Sequence, residues 1–163
     1  MRPPDEVRKE IVRQWLARGQ ESIEAAAVLL SRGPLFHPSC LQSQQAAEMY
    51  IKAFLTWHQV EFSQARTLDE LLGLVGKADK ALAVTLGGVT ALSAYGMDAW
   101  PADEAPEPTR AQAEDALNLA RGGREAVLKA LPPLGVLGRT QAPRTREGCA
   151  PCPDCGQVTA GQL

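Results

Sequence analysis

Apolar side chains recur every three or four residues from position 12 to position 131, and no stretch alternates apolar and polar residues with a period of two. A spacing near 3.6 places one stripe of a helix in a core, whereas half-buried strands need the two-residue alternation, so the pattern predicts an all-α protein. Val12, Trp15, Gly19, Ile23, Ala26 and Leu30 mark a first helix over about residues 5–31, and Gly33-Pro34 ends it. A second begins after Pro38, with Ser39 as N-cap, and carries Leu41, Ala47, Tyr50, Phe54 and Trp57 to about residue 59. Thr67, followed by Asp69 and Glu70 at the positive end of the dipole, caps a third in which Leu68, Leu71, Leu72 and Val75 face inward. Leu82, Leu86, Val89 and Leu92 define a fourth over about residues 79–94. Its Gly87-Gly88 pair costs about 1 kcal/mol per glycine relative to alanine, which points to a close helix approach or a break. Beyond a loop with three prolines, Thr109 and Gln112 form a capping-box pattern for a fifth helix through Ala113, Ala116, Leu117, Ala120, Val127, Leu128 and Leu131. The expectation is an antiparallel up-and-down bundle of four to five helices.

All eight aromatic residues lie between Trp15 and Trp100, while residues 132–163 hold five prolines, five glycines and no aromatic. Such a segment buries too little apolar surface to offset its ordering entropy. The reading is therefore a helical domain over residues 1–131 and a disordered, cysteine-containing C-terminal tail over 132–163. The whole chain has 17 basic and 19 acidic residues, a formal charge of -2, so it does not hold nucleic acid through a bulk basic field, and DNA is not an expected partner. No apolar run reaches the roughly 18–20 residues of a membrane span, and the first residues carry acids where a signal peptide carries basic and apolar ones. A cytoplasmic protein without membrane partners is expected.

Within the second helix, Gln45, Glu48 and Lys52 are spaced by three and four residues and share one helical face beside the apolar stripe. Such a polar row at the edge of a core needs partners. Either its members satisfy one another, which contributes about 0.3–0.5 kcal/mol on a solvated face, or amide, carboxylate and ammonium line a groove for a phosphate or base.

The segment Gln44-Gln45-Ala46-Ala47-Glu48-Met49-Tyr50-Ile51-Lys52-Ala53 resembles the signature of the HEPN domain family (higher eukaryotes and prokaryotes nucleotide-binding). Trp15, Gly19, Ile23 and Ala26 are similar to the family's first helix, Arg66-Thr67-Leu68-Asp69-Glu70-Leu71-Leu72 to its Lys-Thr-His-Asp-Leu segment, and Tyr95 with Ala99-Trp100-Pro101 to its Tyr and Arg-Tyr-Pro positions. The resemblance covers about residues 10–131, and its strength lies in the order of four segments. It implies a nucleotide- or RNA-binding module, with Gln45, Glu48 and Lys52 as nucleotide-binding candidates. It also implies a homodimer acting with a small nucleotidyltransferase in a toxin-antitoxin-like pair.

Nuclease members of that family use an arginine followed, after four to six residues, by a histidine, as suits attack by a ribose hydroxyl on a phosphate. This chain has two histidines. Arg32 and His37 have the spacing but flank Gly33-Pro34, a connection and not a helical face, while His58 has no arginine upstream within reach. Leu68 replaces the family's histidine and Ala99 its arginine, so the expected protein is a non-catalytic binding or partner module. A metal-independent ribonuclease using Arg32 and His37 is the counter-reading. The tail segment Cys149-Ala150-Pro151-Cys152-Pro153-Asp154-Cys155-Gly156 has the composition of a zinc knuckle. Cys149, Cys152 and Cys155 are candidate zinc ligands. A closed tetrahedral site would take its fourth ligand from Cys40, a water or another chain, and a helical interaction module with a zinc-binding tail is a further alternative.

Overall fold

The structure is a computed structural model that describes residues 5–65, 67–96 and 106–134, and every regular element among them is helical. Five α-helices, α1 (Asp5–Arg32), α2 (Phe36–Trp57), α3 (Leu68–Ala78), α4 (Lys80–Thr85) and α5 (Arg110–Ala130), are joined by a 3-10 segment, Gly87–Tyr95, between α4 and α5. This is the expected all-α bundle. No helix among the described residues is long and apolar enough to cross a membrane.

Side-chain contacts set the direction of packing. Ser39 on α2 reaches Ala26 on α1, Met49 meets Ser22, Tyr50 meets Gln20, Lys52 lies over Trp15, and Trp57 lies under Arg8. Numbers rise on one helix as they fall on the other, so α1 and α2 are antiparallel, as their short connection requires. Val12, Leu16, Ile23 and Ala26 of α1, Tyr50, Phe54 and Leu55 of α2 and Ala113, Ala120 and Val127 of α5 are buried in one core. Each large side chain so buried is worth about 1.5–3 kcal/mol. Gly19 brings α1 close to α2: a Cβ there would stand 2.8 Å from Cε2 of Tyr50.

Two boundaries differ from the sequence reading. The second helix starts at Phe36, not after Pro38, and its N-cap Leu35 makes no side-chain capping bond. Gly33, at φ 128°, turns the chain, and Pro38 fits within the first helical turn, where a missing N–H costs nothing. Ser39 is thereby released from capping, and its hydroxyl donates across to the Ala26 carbonyl at 2.9 Å. The fourth helix is shorter than expected, because α4 stops at Thr85 and the chain tightens into the 3-10 segment at Gly87. Leu86, Val89, Leu92 and Tyr95 then fall three residues apart, and the first three are buried together. The glycine pair is thus a break. A Cβ on Gly87 would meet nothing within 4 Å.

The expected capping boxes both form, Thr67 with Glu70 on α3 and Thr109 with Gln112 on α5. Asp79 ends α3 and caps α4 in turn, accepting from the Leu82 N–H at 3.0 Å. At the far end, Arg13 Nε donates to the Leu134 carbonyl at 3.0 Å, which ties the first described residues of the tail to α1.

Candidate functional site

The polar row of α2 lies on its α1-facing edge. Gln45, Glu48 and Lys52 are half-buried and do share one face of the helix, beside the buried Ala47, Ile51 and Leu55. Lys52 Nζ pairs with Glu48 Oε1, and the two side chains retain only 21% and 29% of their exposure. The Lys52 ammonium also stands 5.5 Å from the centre of the Trp15 ring, a cation–π distance. Trp15 in turn packs edge-on against Phe62 at 6.5 Å. The amide that completes the row is Gln44, whose Nε2 donates to Glu48 Oε2 at 3.2 Å. Gln44, Glu48 and Lys52 therefore form one continuous chain at i, i+4, i+8. Gln44 was missed as a candidate, although this spacing was visible in the sequence. Both carboxylate oxygens of Glu48 accept from neighbours one turn away, and such a partly solvated array is worth about 0.3–1 kcal/mol.

Arg32 is the last residue of α1 and is exposed, whereas His37 is the second residue of α2 and is half-buried. The Gly33 turn places them on two separate helix ends and not along a single helical face. His58 closes α2 at its C-cap, and its ring packs on Phe54 with centroids 4.3 Å apart. Neither histidine lies on α5, so no arginine of that helix shares a helical face with one.

Comparison with protein families finds the HEPN domain over residues 12–130. The chain belongs to the HEPN family. No curated protein and no solved structure matches it. Membership makes the bundle a nucleotide- or RNA-related module, and the matched span takes in all five α-helices except the first turns of α1.

In this HEPN domain the departures from the family pattern fall unevenly. Thr67 and Leu68 are described, and Leu68, in the place of the family's histidine, is buried in the core at 2% exposure. Arg66, Ala99, Trp100 and Pro101 lie outside the described residues, as do Cys149, Cys152 and Cys155. Among the described residues no cluster of three or more histidine, cysteine, aspartate or glutamate side chains could hold a metal. Cys40, one of the possible fourth zinc ligands, is fully buried in α2, and burial pushes its thiol up to about 11. A protonated thiol sealed in the core does not fit as a metal ligand. A cleft of about 560 Å³ opens between residues 61–65 and α3, where Glu61, Phe62, Glu70, Leu74 and Lys77 line it. It holds neither the α2 row nor a histidine.

Proposed function

We propose that this HEPN chain is a non-catalytic binding and partner module. It acts as a homodimer with a small nucleotidyltransferase in a toxin-antitoxin-like pair, and it contacts nucleotide or RNA weakly by itself. The observation that carries the reading is the closed pairing of the α2 row. Lys52 is already neutralised by Glu48 and shielded by Trp15, so a phosphate approaching the row must displace a carboxylate. That competition keeps the intrinsic affinity of Gln45, Glu48 and Lys52 for nucleotide low, and leaves function to the partner. The separation of Arg32 and His37 onto two helix ends supports the non-catalytic part.

The test uses the purified full chain, alone and co-expressed with the product of the neighbouring reading frame. The expected results are a dimer by light scattering, a stable complex with a nucleotidyltransferase, and RNA left intact by the chain and by its His37→Ala variant. RNA cleavage by the wild type that disappears on His37→Ala would replace this proposal with the ribonuclease reading. Cys149, Cys152 and Cys155 are proposed to hold zinc, with the fourth position filled by water or by another chain, since Cys40 is sealed away. Protein purified without chelator should carry one zinc per tail or per shared pair of tails, and Cys152→Ser should lose it; metal-free wild type refutes the site.

A further inference from the structure

Between α1 and α5 lies a second cavity, about 240 Å³, lined by Gln20, Ile23, Glu24 and Ala27 on one side and Arg121, Arg124 and Glu125 on the other. Its volume is below the roughly 300–1,000 Å³ of sites for drug-sized ligands, so its occupant is small. Its wall carries two guanidinium and two carboxylate groups. On most surfaces such groups would neutralise one another, and Arg121 and Glu125 even stand four residues apart on α5. Yet among the described residues no carboxylate lies within 4.0 Å of either guanidinium.

Three further details indicate a prepared site. Arg124 is the half-buried cation of the wall, and its Nε, like that of Arg8, is sealed from water without an acceptor among the described residues, so the guanidinium meets the cavity through its terminal nitrogens. Behind the wall, Tyr50 donates its hydroxyl to Gln20 Oε1 at 3.4 Å, and the nearby Arg124 cation opposes the upward pull of burial on that phenol. Gln20 Nε2 donates to Glu24 at 3.0 Å and holds that carboxylate in turn. One small apolar surface, Ile23 with Ala27, completes the lining.

We infer that this cavity binds a small zwitterion of amino-acid size, its carboxylate on Arg121 and Arg124, its ammonium on Glu24 and Glu125, and its side chain over Ile23 and Ala27. Balanced charge on the wall selects for balanced charge on the ligand. A simple anion would satisfy the arginines but would face two carboxylates with nothing to offer them. This site is separate from the α2 row, and the inference does not depend on the nucleotide reading.

The test is thermal unfolding and NMR titration of the full chain with each of the twenty L-amino acids and with inorganic phosphate, up to roughly 10 mM. At least one amino acid, of small apolar side chain, should raise the midpoint saturably. Arg124→Gln should weaken it by about tenfold or more. Because Arg124 is half-buried and also acts on the Tyr50 phenol, the exposed Arg121→Gln is the second variant; it should retain the wild-type circular dichroism and still bind more weakly. The inference fails if no amino acid binds, if Arg121→Gln binds as wild type does, or if phosphate alone binds as tightly as the best amino acid.

Discussion

Two polar clusters, one along α2 and one between α1 and α5, treat charge in opposite ways. On the α1-facing edge, Glu48 and Lys52 cancel each other one turn apart and Gln44 occupies the remaining carboxylate oxygen. In the cavity between α1 and α5, Arg121, Arg124 and Glu125 of one wall face Glu24 of the other, and among the described residues none of the four forms an ion pair. The first cluster lies in the segment that carries the family resemblance and has little binding capacity to spare. The second was not singled out in the sequence and retains all of its own. In a helical bundle a signature segment can therefore serve mainly as framework, while capacity for a ligand sits where charges from two helices meet without pairing.

The largest expected effect tests the ring that separates the two clusters. Tyr50→Ala should cost about 3–5 kcal/mol in urea unfolding, as for other large buried aromatics, whereas Tyr50→Phe keeps the ring and should cost about 1 kcal/mol. Equal losses would place the stability in the hydroxyl network and erase the contrast.

Next comes a pH measurement on the interior of the same helix. The Cys40 thiol is raised by burial from 9.0 to about 11, so its contribution is complete below pH 9 and is lost as pH climbs to 11. The Tyr50 phenol is also raised, mainly by burial and in part by Glu24, against the pull of Arg124, and it contributes in the same direction above pH 10. Unfolding free energy should fall by about 2 kcal/mol between pH 9 and 11, and Cys40→Ala should flatten the lower part of that slope. A flat profile in the wild type would show that the interior of α2 tolerates charge.

The contrast itself is sharpened by comparing single deletions. Lys52→Ala leaves a half-buried Glu48 carboxylate without its cation and should cost about 1 kcal/mol by chemical denaturation, with Glu48→Gln in the same background restoring part of it. Arg121→Ala, which breaks no ion pair among the described residues, should stay within about 0.5 kcal/mol of wild type. A larger loss at Arg121 than at Lys52 would reverse the assignment of framework and capacity.

Much of the fold was legible because periodicity and capping chemistry act locally. Thr67 and Thr109 reveal helix starts since their hydroxyls accept from N–H groups three residues on. The start of α2 was not legible, since Leu35 offers no capping side chain and the contact that claims Ser39 comes from Ala26, thirteen residues away. The 3-10 segment was misread because Leu86, Val89 and Leu92 fit a spacing of three as well as one of 3.6, and only the continuation to Tyr95 separates the two. At the site, the α2 row could be read from one helix. The α1–α5 cavity could not, because Gln20 and Arg124 meet only after the bundle has closed.

Gly19 gives the molecule one more property. With no side chain at that position, the Tyr50 ring acts as the spacer between the first two helices, and its hydroxyl touches Gln20, one of the residues that wall the small chamber. Bulk added at position 19 would therefore press on the phenol first and, through Gln20, be felt at one wall of that chamber.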